Sequence, residues 1–186
     1  MGDFSNALNY ANEIISANLF DLDNLNRFEG SPSTENIFYI TSTNPVDERG
    51  LGYKNNYRSD AQDANPTLRT TKAFYDQATS DTNDMRGKMW FRVLNPGESN
   101  EGWAVAKYDF SYMNVPIIYY TRVILVKAEC LYEASDYTGC VAELNKLRSR
   151  AGAEAYGTLG ADDTYSALQF ERRMEYGQGV LGNYYD

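Results

Sequence analysis

The chain has 186 residues, a formal charge of −9 from 26 acidic against 17 basic side chains, and no histidine. The length suits one domain with its own core, and the charge repels nucleic acid and anionic membrane surfaces. The missing histidine removes the usual general base near neutral pH, the Ser/His and Cys/His nucleophile pairs and the common zinc sets, so no catalytic residue, metal or cofactor is expected.

Met1 is followed by "GDFSNALNY", not by a basic segment and an apolar signal core, and no apolar run approaches the roughly 20 residues of a membrane helix. The chain as given is therefore expected to be soluble. Helical spacing opens at residues 3–17, where Ala7, Leu8, Ala11, Ile14 and Ile15 share a face and Asp3 or Ser5 can cap the start. "IFYIT" at Ile37 to Thr41 predicts a short strand.

Residues 42–115 form a loop-rich excursion. Within it "TLRTTKAFYDQA" predicts a short helix from Thr67 to Ala78, and "KMWFRVL" from Lys88 to Leu94 reads as extended. The excursion is too aromatic for generic disorder, so ordered loops packed on a helical scaffold are expected.

From Pro116 the pattern is helical. Val115 to Leu131 is apolar almost all round, which predicts a buried helix with Pro116 in its first turn. Tyr137 to Ala151 carries the stripe Cys140, Val141, Leu144, Leu147, Ala151 and stops at Gly152. A last helix runs over 164–176.

The pair within 116–151 matches the tetratricopeptide pattern of about 34 residues, with Ala128 and Cys140 in the small positions and Leu131 and Leu144 in the bulky ones. "DYTGCVAELNKL" repeats as "DFSNALNYANEI" at the start, so the first helix is the second half of another repeat. Its own first helix is missing from this sequence, which leaves the face of Ala7 and Ala11 in need of cover. The pattern predicts a mostly α, tetratricopeptide-like hairpin scaffold with long irregular loops and at most a few short strands, in a fragment or a shortened relative of a longer protein.

The 16 tyrosines, 8 phenylalanines and 2 tryptophans define no single site, but such richness is common on sugar-binding surfaces as well as in cores and interfaces. Trp103, in "SNEGWAVAKY", is expected on a loop facing solvent. Tyr53 and Tyr57, interleaved with Asn56 and Arg58 in "LGYKNNYRSD", could meet sugar hydroxyls. Trp90 reads as core. "DTNDMRG" at 81–87 lacks the alternation of a calcium loop, and the Glu171, Arg172, Arg173, Glu175 cluster reads as ion pairs that fix the last helix, in part through Glu129.

"STENIFYI", "FYDQATSDTNDMRG", "AKYDF", "VPIIYYTRVILVKAECLYEASDYTGCVAELNKLRSRAG" and "FERRMEY", in this order and spacing, resemble the C-terminal half of the SusD/RagB family of nutrient-binding outer-membrane lipoproteins. Departures are Tyr119 and Arg122, where the family has an arginine and an acidic residue, and Cys130 in place of an alanine. The resemblance implies a single SusD/RagB-like domain over 1–186, at the cell surface and held to the outer membrane by a lipid anchor absent from this chain. It also implies non-catalytic capture of glycan or another nutrient, handed to a partner SusC-like TonB-dependent transporter. The export it implies would permit a disulfide, but Cys130 is rotated about 200° around the helix from Ala128, which faces Cys140, so two free thiols are expected. Two other readings stay open: a repeat scaffold that binds a protein or peptide, and a glycosidase with two carboxylates.

Overall fold

The computed structural model describes residues 2–23, 25, 33–41, 66–109 and 114–177. In chain order these form α1 (Phe4–Ser16), β1 (Asn36–Ile40), α2 (Lys72–Ala78), α3 (Met85–Trp90), β2 (Phe91–Leu94), β3 (Gly102–Val105), β4 (Val115–Tyr119), α4 (Tyr120–Glu133), α5 (Tyr137–Ala151) and α6 (Ala161–Tyr176). Helices carry the architecture, and the strands make two antiparallel two-stranded ladders, β1 with β4 and β2 with β3.

The repeat helices start on matching caps. The Asp3 carboxylate accepts from the Asn6 amide at 3.1 Å, and the Asp136 carboxylate accepts from the Gly139 amide at 2.8 Å, each satisfying a donor that the helix start leaves open. α5 ends at Gly152, whose φ of 72° is a left-handed conformation natural to glycine, and the next amide, Ala153, reaches back to the Arg148 carbonyl at 2.9 Å.

The expected helix from Pro116 is corrected: residues 115–119 are a strand and the helix begins at Tyr120. A proline disfavours helical backbone at the residue before it, and "VPIIY" is rich in residues that fit a pleated edge, where the missing proline amide is tolerated. β4 pairs Pro116 with Tyr39 and Ile118 with Phe38, with two register irregularities. The open α4 start is met from outside, as the Tyr120 amide donates to the Glu35 carbonyl at 2.8 Å.

The extended reading of Lys88 to Leu94 holds only from Phe91. Asp84 caps a six-residue helix by accepting from the Arg86 amide at 2.9 Å, and the chain turns into β2 after Trp90. Gly87 permits this helix, because a Cβ there would stand 2.6 Å from the Ala78 carbonyl oxygen. The helix read from Thr67 starts at Lys72, behind the Thr71 cap.

Two apolar clusters result, and α6 joins them. Ile124, Leu125 and Ala128 of α4 pack with Cys140, Leu144 and Leu147 of α5 and with Ala167 and Leu168 of α6. Further along α6, Met174 enters the second cluster with Ala78, Trp90, Phe91, Val105 and Tyr108. Cys130 and Cys140 are both buried free thiols, and only Cys140 belongs to the first cluster. No described helix is long and apolar enough to cross a membrane.

Candidate functional site

The β2–β3 hairpin places Trp103 in a strand, not on the projecting loop expected of it. Trp103 pairs with Val93, two residues from the pair Phe91 and Val105, so its side chain continues the face on which Val105 is buried. The other edge of β3 is taken by Thr70, whose amide donates to the Trp103 carbonyl at 2.9 Å. The indole is half-buried, with the Lys72 ammonium 5.8 Å from its ring centre.

Beside it lies a cleft of about 270 Å³ whose lining includes Arg69, Thr70, Thr71, Phe74 and Arg173. Arg69 lies across β3 at Gly102, where a Cβ would meet its Nη1 atom at 2.5 Å. An aromatic surface flanked by hydroxyl and guanidinium groups can stack on the apolar face of a polyhydroxylated ligand while bonding its hydroxyls.

Of the expected ligand residues, only Trp103 is described. Tyr53, Asn56, Tyr57 and Arg58 lie outside the described residues. Trp90, 2 % exposed, is core. Arg69, Thr70 and Thr71 do not stand out in the sequence because "TLRTTKAF" reads as a helix throughout. Thr71 accepting from the Phe74 amide at 3.3 Å is a cap that the threonine before "KAF" could have signalled.

The charged cluster of α6 divides by face. Glu171 and Glu175 are fully buried and grip Arg86, itself 0 % exposed, at 2.6 and 2.8 Å. Arg86 also meets Asp84 at 2.8 Å, Arg148 reaches Glu171 at 3.0 Å, and Arg150 bridges Glu175 and Glu35, each at 2.5 Å. Burial by itself disfavours the Arg86 charge, but Glu171 and Glu175 more than offset it and hold the guanidinium protonated well above its ordinary range. Each carboxylate here meets an arginine, which fits a clasp between distant segments. Arg172 pairs with Glu129 at 3.2 Å, as read from the sequence, while Arg173 turns to the cleft.

In "DTNDMRG" the Asp81 carboxylate accepts from the Asn83 amide at 2.9 Å, a bond that, with the neighbouring Arg148 charge, holds its pKa below the ordinary value. Among the described residues no group of three or more His, Cys, Asp or Glu could hold a metal ion.

Solved structures share this fold. A SusD superfamily protein from Parabacteroides distasonis is 18% identical, aligned over 94% of this chain and 44% of its own, with a TM-score of 0.72. A SusD-like carbohydrate binding protein from Bacteroides vulgatus is 16% identical over 94% of this chain and 39% of its own, with a TM-score of 0.73. Surface glycan-binding protein A from Bacteroides uniformis is 18% identical over 92% and 43%, with a TM-score of 0.69. This chain thus spans less than half the length of these structures. No curated protein matches it. The sequence profile of the SusD family matches residues 23–177, most of the chain, and the chain belongs to the SusD family.

Proposed function

We propose that this protein binds glycan, or another nutrient, at the cell surface without chemical change and delivers it to a partner TonB-dependent outer-membrane transporter. The observation that carries this reading is membership of the SusD family, whose profile covers residues 23–177. The names of two structural neighbours, a carbohydrate binding protein and a surface glycan-binding protein, point the same way. The half-buried Trp103 beside the cleft of Arg69, Thr70 and Thr71 supplies a platform suited to a sugar ring, with donors next to it. Tyr53, Asn56, Tyr57 and Arg58 remain proposed contacts on the strength of their residue types alone.

The test is isothermal titration of the longest natural form of the protein against a panel of oligosaccharides, with a reducing-sugar assay on the same mixtures. Saturable binding with no new reducing ends supports the reading. Release of reducing ends would make the protein a glycosidase, and binding of a peptide in place of every sugar would make it a repeat scaffold.

A further inference from the structure

The cleft beside Trp103 is cationic in a chain whose formal charge is −9. Its described lining carries two guanidinium groups, Arg69 and Arg173, and no carboxylate. A second cleft, of about 410 Å³ between α2 and α6, is lined by Asp81, Asp84 and Asp163 against the single cation Arg148. Walls of one sign over an apolar base, here Phe74 and Val105, focus their field on a ligand of the opposite sign.

Helix geometry directs the Arg173 charge to this cleft. Glu171 and Glu175 face the clasp, where they meet Arg86, and Arg172 is matched by Glu129 at 3.2 Å. Arg173 is rotated about 200° around the helix from each of those two glutamates. It is exposed and makes no ion pair among the described residues. Arg69 enters from the segment before α2, its Nε donating to the Pro66 carbonyl at 3.4 Å and its Nη1 lying over Gly102. Lys72, near the Trp103 ring, is matched by Asp76 at 2.6 Å, so the net positive charge comes from the arginines.

On the reading that this protein captures glycan at Trp103, we propose that the ligand is an acidic saccharide. A sugar ring stacks on the indole, and the carboxylate or sulfate group it carries enters the cleft. There the Arg173 guanidinium, with that of Arg69, takes the anion in paired N–H···O bonds, the geometry that the planar guanidinium fork favours.

The test is isothermal titration of the longest natural form of the protein with oligogalacturonate and with unsulfated and sulfated chondroitin oligosaccharides, against neutral malto-, cello- and xylo-oligosaccharides of equal length. The result expected is saturable binding of an acidic oligosaccharide, tighter than that of every neutral one and weakened by added salt. A gain on sulfation of chondroitin assigns the anion as sulfate, and equal or weaker binding assigns it as carboxylate. Arg173→Gln should weaken the acidic ligand roughly fivefold. Arg92→Gln, which removes the same charge from the opposite face of the β2–β3 hairpin, should leave its affinity unchanged. Preference for a neutral oligosaccharide, or an acidic one bound equally well by Arg173→Gln, would overturn the inference and leave glycan capture standing. Binding of no saccharide would overturn both.

Discussion

Arg86 and Glu171 stand 85 residues apart in the chain and meet at 2.6 Å, both with fully buried side chains. Their bond, with those to Asp84 and Glu175, ties the short helix α3 to the far end of α6. Removing the guanidinium takes an ion-pair partner from three buried carboxylates, of which Glu171 keeps Arg148 and Glu175 keeps Arg150. Arg86→Ala is expected to cost about 3–5 kcal/mol in urea unfolding, the range for breaking a buried pair from one side. A loss under about 1 kcal/mol would show that water reaches and solvates these carboxylates, and the clasp would no longer explain how the two elements are held.

Gly87 provides a contrast with the usual helix rule. Glycine to alanine inside a helix ordinarily gains up to about 1 kcal/mol. Here the new Cβ would stand 2.6 Å from the Ala78 carbonyl oxygen, a backbone atom on a residue only 1 % exposed. Gly87→Ala is expected to lower the melting temperature, and an increase would mean that α2 and α3 can separate freely.

Burial pushes the Cys140 thiol from its ordinary 9.0 up to about 11, with the Asp136 and Glu143 charges acting in the same direction. The unfolded chain ionises first, so the stability contributed by the neutral thiol is complete below pH 9 and is lost as pH rises through 11. Cys140→Ala should flatten the fall in stability over that window by up to one proton. The half-buried Tyr156 and Tyr176 hydroxyls, also raised chiefly by desolvation, leave a residual slope. An unchanged slope would sink the assignment.

The same burial makes both thiols slow to react in the native protein. Denatured without reductant, the protein should show two reactive thiols in a colorimetric count, because Cys130 and Cys140 are free. A count of zero would mean that the register of the α4–α5 hairpin is wrong.

The repeat pair is legible in the sequence because its signals are local: Asp136 before the apolar stripe, Gly152 after it, and a period that only a helix satisfies. The strand β4 is not, since a continuous apolar run has no period to separate strand from helix, and only Pro116 hints at the break. α3 is six residues long, too short for periodicity, and depends on Gly87 approaching Ala78, a contact no local pattern encodes. In the candidate site Trp103 stands out by type, but its strand neighbours Val93 and Thr70 come from separate segments. The charges of α6 are visible as a cluster, while Arg86 and Arg150, which make half of it a clasp, lie on other elements.

Trp103 as a ligand platform beside the cleft is the central claim. The measurement is titration of the best-binding oligosaccharide into the natural protein and its Trp103→Ala variant, with melting curves for both. Losing one stacked aromatic contact is worth about 1–1.5 kcal/mol, so affinity should fall about five- to twelvefold while the melting temperature shifts by no more than a few degrees. Equal affinity in the two proteins, with both folded, would contradict the placement of ligand at the β2–β3 hairpin.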